Sequence, residues 1–345
     1  MRQPDFANLL AVLRRQTPQR PTLFEFFLNG PLYERLAGPR ITAMKDPLAP
    51  QRTAIHAYRN AGYDYVTVQG SDFGFPAGQA AHLQTRSLNE GALISDRASF
   101  ESYPWPDPEA RDYSRLAALE GELPPGMKLI VWGPGGVLEN AISLVGYDRL
   151  CLLLYDDPEL VQDIFDAIGS RFVKYYARCA PYPAVGALIS NDDWGFKTQT
   201  MLAPAEMRRY VFPWHQRIVE TCHAAGKPVI LHSCGELKDV MEDVIEQMRY
   251  DAKHSYEDAI LPVEEAYERW GRRIAILGGI DVDFIVRATP AEITRRSQAM
   301  LERTAAHGAY ALGTGNSVPE YIPQEHYFAM TAAAQVDPPP PRPPD

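Results

Sequence analysis

The residues with the clearest chemical potential in this chain are a histidine and a cysteine two positions apart, His232 and Cys234. They follow a short apolar run, and alternate residues of a strand point to the same side, so the imidazole and the thiol would face one direction. Both are ligands that Zn²⁺ prefers, and a catalytic zinc normally takes a third ligand from the protein. A buried thiol beside a hydrogen-bonded histidine is the alternative interpretation of this short pattern.

A pair of adjacent carboxylates follows another apolar run, at Asp192 and Asp193. A carboxylate there could act as a general base, hold a metal or orient a water molecule. Because adjacent strand residues face opposite sides, only one of the two can point into a site. We predict that Asp192 is catalytic, together with His254 after a later run, whereas Asp193 fits equally well as the cap of a helix.

Further polar or aromatic side chains lie where other apolar runs end. If the ends of these runs converge, the side chains surround one site, and we predict that they bind the substrate. They are Glu25, Asn29, Asp72, Trp132, Asp281 and Asn316. Cys151, Cys179 and Cys222 are predicted to be small core residues, and His215 is predicted to lie on a helix surface.

Eight β-rich runs alternate with helical patterns along the chain. The runs are 23–27, 64–69, 128–132, 184–190, 228–231, 250–252, 273–277 and 309–312. The helical patterns are 51–61, 157–179, 204–225, 237–248, 262–270, 290–307 and 323–334. This alternation predicts parallel strands joined by crossover helices, and eight units is the count of a (β/α)₈ TIM barrel. A doubly wound sheet is the rival architecture, but no G-x-G-x-x-G sequence follows the first run.

The composition excludes some classes of function. The chain has 345 residues and a net charge of −10, whereas a nucleic-acid binder needs basic residues for phosphate contacts. No apolar run is long enough to span a bilayer, and four cysteines without framework spacing indicate a reduced, cytoplasmic protein. We predict an amphipathic helix extension within 1–20, one barrel domain over 21–336 and a disordered Pro-rich tail over 337–345.

A series of short motifs runs along the chain. They are Gly133-Pro-Gly-Gly, Tyr155-Asp-Asp-Pro-Glu, Asp192-Asp-Trp-Gly, Leu202-Ala-Pro-Ala-Glu, Gly226-Lys-Pro-Val-Ile-Leu-His-Ser-Cys-Gly, Gly278-Gly-Ile-Asp-Val-Asp, Ala288-Thr-Pro-Ala-Glu and Gly313-Thr-Gly-Asn-Ser-Val-Pro. Together, over roughly residues 20–335, the chain resembles the uroporphyrinogen decarboxylase-like superfamily, which implies a (β/α)₈ barrel. That superfamily holds two chemistries: decarboxylation of uroporphyrinogen without a metal or cofactor, and corrinoid-linked methyl transfer with zinc.

Two places in the sequence bear on which chemistry the resemblance implies. Uroporphyrinogen decarboxylases share an Arg-rich segment after the first strand that binds substrate carboxylates, where this chain has Glu25. Asp72 does match the decarboxylase aspartate that binds the pyrrole N–H groups. His232 and Cys234 match the first two zinc ligands of the thiol-methylating branch, but the cysteine that this branch supplies at the eighth strand is missing from the stretch at Gly313.

The resemblance therefore implies a corrinoid-linked methyltransferase or demethylase acting on a small methylated substrate. It implies zinc at His232 and Cys234, with Glu25, Asp192 or His254 as the third ligand, and a corrinoid on a separate carrier protein. A homodimer is also open. The alternatives are uroporphyrinogen decarboxylase or a related tetrapyrrole enzyme, and a barrel that binds a small ligand without catalysis.

Overall fold

The computed structural model describes residues 2–78 and 88–335. Over these residues the protein is an α/β chain with seven strands, and the strand order in the sheet follows the chain. The strands are β1 Tyr65–Gln69, β2 Lys128–Trp132, β3 Val185–Asn191, β4 Val229–His232, β5 Ala252–His254, β6 Ala275–Leu277 and β7 Tyr310–Ala311. The neighbouring pairs β3–β4, β5–β6 and β6–β7 are parallel, as predicted.

The α-helices of the described residues alternate with these strands. They are α1 Phe6–Leu13, α2 Gly30–Ala37, α3 Pro39–Thr42, α4 Ala49–Ala61, α5 Arg97–Ser102, α6 Ser114–Glu120, α7 Val137–Val145, α8 Tyr147–Asp156, α9 Pro158–Cys179, α10 Pro204–Glu206, α11 Phe212–Ala224, α12 Val263–Trp270, α13 Val282–Arg287, α14 Pro290–Thr304 and α15 Gln324–Ala333. None of them is both long and apolar enough to cross a membrane.

The helices whose observed bounds agree most closely with the predicted ones begin at residues that favour a helix N-terminus. The Asp157 side chain accepts a hydrogen bond from the backbone of Leu160 at 2.9 Å, and proline occupies the first turn of α9, where its missing N–H costs nothing. At α14, Thr289 and Glu292 form a reciprocal capping box. These local signals explain why the predicted and observed helices differ by only a few residues at their ends.

The prediction of a first strand over 23–27 is wrong. Leu23 forms only an isolated parallel bridge to Leu312, although Phe24 donates a backbone hydrogen bond to Leu312 at 2.8 Å. The next backbone donor along this edge, Thr314 N–H, bonds instead to the Glu25 carboxyl at 2.6 Å. The side chain of Glu25 therefore takes the hydrogen bond that would have extended the ladder.

The prediction of an α-helix over 237–248 is also wrong. A 3₁₀ turn at Lys238–Val240 and a π-helical turn at Asp243–Gln247 occupy this stretch. The Arg208 guanidinium bonds to the backbone oxygen of Asp239 at 3.2 Å, an oxygen that a regular α-helix would pair with the amide of residue 243. The predicted Pro-rich tail, 337–345, lies outside the described residues.

The chain divides into two compact units, and neither is a continuous stretch of sequence. The first unit comprises residues up to Val68, Ala118–Ile130 and residues from Asp251 onward. The second unit comprises Gln69–Ala117 and Val131–Tyr250. The second unit contains β3, β4 and the long helices α9 and α11, and the His232–Cys234 motif lies within it.

Candidate metal centre

The carboxyl ends of β3 and β4 bring the acidic pair and the His-Cys motif to one edge of the sheet. The two strands are parallel, and Asn191 of β3 lies beside His232 of β4. The Asp192 amide donates to the His232 backbone oxygen at 2.9 Å. Because both strands end at this level, the residues that follow them leave the sheet side by side.

The loops after these strands are tied together by their backbones. Gly195 donates to Cys234 at 3.1 Å, and Glu236 donates to Phe196 at 2.8 Å. A Cβ atom on Gly235 would lie 2.1 Å from the Gly195 oxygen, and the Gly235 φ angle of +89° suits glycine. The glycines therefore permit an approach that fixes the position of the cysteine.

Asp193, His232 and Cys234 bring three possible ligand atoms together. A carboxylate oxygen, an imidazole nitrogen and the sulfur lie within 4.8 Å of one another. His232 Nε2 is 3.9 Å from Cys234 Sγ, and the Asp193 carboxylate accepts a 2.9 Å hydrogen bond from the Cys234 amide. His232 is buried, whereas Asp193 and Cys234 are partly exposed, so the group is open to a substrate on one side.

The donor set fits a small divalent ion such as Zn²⁺. Tetrahedral zinc with Zn–N and Zn–S bonds of about 2.0 and 2.3 Å separates the two ligand atoms by about 3.6 Å, close to the observed 3.9 Å. One oxygen, one nitrogen and one sulfur donor leave a fourth position for water or substrate, as in catalytic zinc sites. The oxygen donor here is Asp193, and no helix begins directly after it as the capping interpretation required.

Asp192 faces the other way from its neighbour and is fully buried. Its carboxylate accepts hydrogen bonds from the amides of Leu138 and Glu139, both at 2.9 Å, at the start of α7. It also bonds to His215 Nε2 at 2.9 Å. The alternation rule therefore holds, but it is Asp193 that lies beside the histidine and cysteine. The catalytic role of Asp192 stays a prediction.

A buried hydrogen-bonded chain extends behind Asp192. His215 Nδ1 lies 2.7 Å from the Tyr250 hydroxyl and 3.1 Å from that of Ser190. Since an ionised carboxylate is only an acceptor, the His215 Nε2–H donates the hydrogen bond to Asp192. His215 is fully buried, so its predicted place on a helix surface is wrong. Its role is to hold the Asp192 carboxylate in place.

Glu139 is a site residue that the sequence analysis missed. Its side chain is largely buried next to two carboxylates, Asp192 and Asp193. Burial, and then the charges of these neighbours, raise the pKa of Glu139 to about 8, against hydrogen bonds from the backbone of Gly136 and Asp193. The neighbouring carboxylates Asp192 and Asp193 favour the binding of a cation here.

A cavity of about 290 Å³ lies beside this acidic group. Its wall contains apolar side chains as well as three carboxylates. It is lined by Leu88, Glu90, Glu139, Ile142, Ser143, Asp193, Gly195, Phe196 and Met201. Since Asp193 also belongs to the candidate ligand group, a molecule in this cavity would lie next to a metal bound there.

Several residues predicted to bind substrate lie in the first unit. Glu25 is fully buried, and burial raises the pKa of its carboxyl to about 8 against two hydrogen bonds from Thr314. The Thr314 hydroxyl lies 2.7 Å from Glu25 Oε2 and also contacts the backbone oxygen of Asn316. One hydroxyl hydrogen cannot serve both acceptors, so a protonated Glu25 would donate to Thr314. His254 is also buried, with Nε2 3.4 Å from the Thr314 oxygen.

Asn29 and Asp281 bond mainly to the backbone. Asn29 caps α2 through Leu32 at 2.9 Å, and Asp281 caps α13 through Phe284 at 2.8 Å. Asp281 and Asn316 also line a cavity of about 500 Å³ within the first unit. Asp281 and Asn316 could therefore contact a ligand bound in that cavity, and the substrate-binding roles of all three residues stay predictions.

The remaining two predicted substrate-binding residues lie in the second unit. Asp72 is exposed and lies 3.5 Å from Arg111, and the backbone oxygen of Trp132 accepts a 2.7 Å hydrogen bond from Tyr175. Neither lines the 290 Å³ cavity. Their binding roles stay predictions.

Comparisons with known proteins identify the family. The family model for uroporphyrinogen decarboxylase (URO-D) matches residues 92–336, and the chain belongs to this family. A curated relative, uroporphyrinogen decarboxylase of Alkalilimnicola ehrlichii, is 27% identical over 256 residues, which is 70% of this chain and 66% of that protein. The same enzyme of Paraburkholderia xenovorans is 27% identical over 178 residues, which is 50% of this chain and 46% of that protein.

A solved structure with a similar fold is a methyltransferase from Methanosarcina mazei. It has a TM-score of 0.69 at 14% identity, and the match covers 95% of this chain and 97% of that one. This similarity supports the fold over nearly the whole chain. The chain therefore has a URO-D-family fold, and it spans about half to two thirds of the length of the curated relatives that it matches.

Proposed function

We propose that this protein is a metal-assisted, corrinoid-linked methyltransferase or demethylase that acts on a small methylated substrate. The observation that carries the proposal is the convergence of Asp193, His232 and Cys234 within 4.8 Å at the ends of two neighbouring strands. Mixed oxygen, nitrogen and sulfur donors with an open position are typical of a catalytic zinc. The similarity of the fold to that of a methyltransferase supports the proposal.

In this proposal, Asp193, His232 and Cys234 hold the ion. When bound, the metal supplies a Lewis acid for the heteroatom that gives or accepts the methyl group. The 290 Å³ cavity confines the substrate next to Asp193. Asp192 acts as a positioning residue, because it ties the end of β3 to the start of α7, and Glu139 on α7 lines the cavity. The role predicted for His254, to orient the substrate or to exchange a proton, stays a prediction.

We further propose that the barrel is closed by an eighth extended segment, 23–27. Its backbone runs beside residue 312, with hydrogen bonds from Phe24 to Leu312 and from Leu312 to Thr22 at 2.8 and 2.9 Å. In this proposal the corrinoid comes on a separate carrier protein. The carrier and a small methylated molecule are the proposed partners.

Uroporphyrinogen decarboxylase is the second candidate function. The names of the family model and of the curated relatives favour it, and so does the aspartate at position 72. Against it stands Glu25 where those enzymes have an Arg-rich segment. Glu25 is fully buried and bonded to Thr314, so this position offers no cation to the carboxylates of such a substrate.

Metal content tests the proposal directly. We expect purified protein to hold about one equivalent of zinc, measured by inductively coupled plasma mass spectrometry after gel filtration. The variants Asp193→Ala, His232→Ala and Cys234→Ala should each lose most of it. Cys151→Ser is the matched control, because Cys151 is a partly exposed cysteine on α8, outside the ligand group. A wild-type protein without zinc, or one whose zinc survives all three substitutions, would refute the metal centre.

Activity assays separate the candidate functions. Incubation with uroporphyrinogen should give no carboxyl loss, whereas a corrinoid carrier mixed with a methyl donor should become methylated only in the presence of this protein. Rapid turnover of uroporphyrinogen would establish the decarboxylase instead. Saturable binding of a small ligand by protein that holds no zinc and shows neither activity would favour the non-catalytic alternative, whereas zinc lost in His232→Ala would argue against it.

A further inference from the structure

The cavity beside the candidate metal centre has a mixed lining that restricts what it can hold. Leu88, Ile142, Phe196 and Met201 provide apolar surface. At about 290 Å³ it has room for a molecule of seven non-hydrogen atoms, which needs about 210 Å³ at roughly 30 Å³ for each water-sized group. The apolar part of the lining favours a ligand that carries methyl groups.

The charge of the lining is negative. Glu90, Glu139 and Asp193 line the cavity, and among the described residues no Lys or Arg does. One oxygen of Glu90 is buried without a hydrogen-bond partner. A divalent ion held by Asp193 and Cys234 would neutralise those two groups but not the Glu90 carboxylate. An anionic ligand is therefore disfavoured, and a cation would supply the missing counter-charge.

An aromatic ring completes the lining. Phe196 is partly exposed and packs edge-to-face on Tyr147, with 5.7 Å between ring centres. The Tyr147 hydroxyl bonds to the backbone oxygen of Met201 at 2.6 Å, so the ring pair is fixed to the lining. Lys197, the next residue after Phe196, is exposed and does not line the cavity. Aromatic faces attract ammonium groups, and methylated ammonium groups in particular.

We propose that this cavity binds a small methylated ammonium ion, with the apolar side chains and Phe196 around its methyl groups and the Glu90 carboxylate balancing its charge. The inference rests on the proposed function, since it names the class of methyl donor for the same site. A quaternary nitrogen has no free electron pair to give to a metal. A metal beside the cavity would therefore not bind the ammonium nitrogen, and when a methyl group is transferred the electron pair of the broken C–N bond stays on nitrogen, so that a tertiary amine leaves.

Two molecules of the same shape test the charge requirement. Choline and 3,3-dimethylbutan-1-ol differ in having a quaternary nitrogen or a quaternary carbon, and 3,3-dimethylbutyrate is an anion of similar size. We expect isothermal titration calorimetry with the full chain to show choline binding at least about tenfold tighter than the alcohol, with affinity falling as salt is added. The carboxylate should not bind measurably.

Substitutions of the lining residues test whether choline binds in this cavity. Glu90→Gln should weaken choline binding about five- to tenfold and leave binding of the alcohol unchanged, because only the charged ligand uses the carboxylate. Phe196→Leu, which keeps an apolar side chain, should weaken choline binding about threefold. Glu220→Gln is the control, since Glu220 is exposed on α11 and bonds to Gln216. It should change neither affinity.

The outcomes separate this inference from the proposed function. Equal or tighter binding of the alcohol, or choline binding that is unaffected by Glu90→Gln and Phe196→Leu, would overturn the inference. Zinc retained by the wild type and lost by His232→Ala would then leave the metal centre standing. If wild-type protein is purified without zinc and still binds choline as expected, the ammonium site is supported and the metal mechanism is refuted.

Discussion

Glu25 makes the stability of this protein depend on pH in a direction opposite to that of most glutamates. Its carboxyl is fully buried, and its hydrogen-bond partners are the backbone amide and the hydroxyl of Thr314. Burial disfavours the charged form and raises the pKa of Glu25 from 4.5 to about 8. The substitution Glu25→Gln keeps the shape and a hydrogen-bonding group, but it removes the ionisation.

The sign of this pH dependence follows from the number of protons bound by the folded and the unfolded chain. Between pH 4.5 and about 8 the folded protein keeps a proton on Glu25 that the unfolded chain has lost. The free energy of unfolding therefore falls by about 1.4 kcal/mol for each pH unit in this window, and is constant with respect to this group above it. Over the whole window the loss is roughly 5 kcal/mol. The Glu25→Gln variant has no such loss, so its stability relative to the wild type grows as pH rises.

Thermal unfolding followed by circular dichroism measures the difference. Unfolding entropy of about 2.1 cal/mol/K per residue converts roughly 5 kcal/mol into a shift of about 7 °C for a chain of this length. Between about pH 5 and about pH 8.5, about 3.8 kcal/mol of this loss occurs, so we expect Tm of Glu25→Gln minus Tm of wild type to rise by about 5 °C over that range. Glu220→Gln, at an exposed position, should show no such rise. A difference that stays constant with pH would show that Glu25 ionises normally in the folded protein.

Three further predictions follow from contacts in the structure. Gly313→Ala should lower the free energy of unfolding, measured by urea titration, by several kcal/mol, because the added Cβ would lie 1.7 Å from a backbone oxygen. The control Gly30→Ala should cost less than about 1 kcal/mol, because the nearest atom to its added Cβ is 3.8 Å away. His215→Ala should cost about 2–4 kcal/mol by the same method, since it leaves a buried carboxylate without one of its donors, and a cost near zero would contradict the described network. Iodoacetamide followed by peptide mass spectrometry should modify Cys234 but not Cys179, whose burial raises its thiol pKa, and added zinc should protect the first.

Much of the fold could be predicted because its signals are local. Lys128–Trp132 is a strand with the bounds that its apolar run predicted, and Pro158–Cys179 is a helix because its cap and its spacing agree. The failures have long-range causes. Residues 23–27 fail as a strand because a carboxyl takes a hydrogen bond from Thr314, which is 289 positions away in the chain. The stretch 237–248 is irregular because Arg208 binds one of its backbone oxygens.

In the candidate site, too, the local features could be predicted from the sequence and the long-range contacts could not. Spacing along a strand predicted that His232 and Cys234 face one side, and their ligand atoms do lie together. Alternation also predicted that only one of Asp192 and Asp193 could join them. Which one joins them depends on the start of α7, whose amides bind the Asp192 carboxylate. No sequence spacing marks that contact, because it joins residues more than 50 positions apart.

The same contact has a consequence for the exchange of amide hydrogens with solvent. The first amides of a helix normally lack intrahelical partners and exchange quickly. At α7, however, the amides of Leu138 and Glu139 are bonded to a carboxylate that is fully buried. Their deuterium uptake therefore measures how often the contact between the end of β3 and the start of α7 opens. Slow uptake at these two positions would show that this contact stays formed while ligands enter and leave the neighbouring cavity.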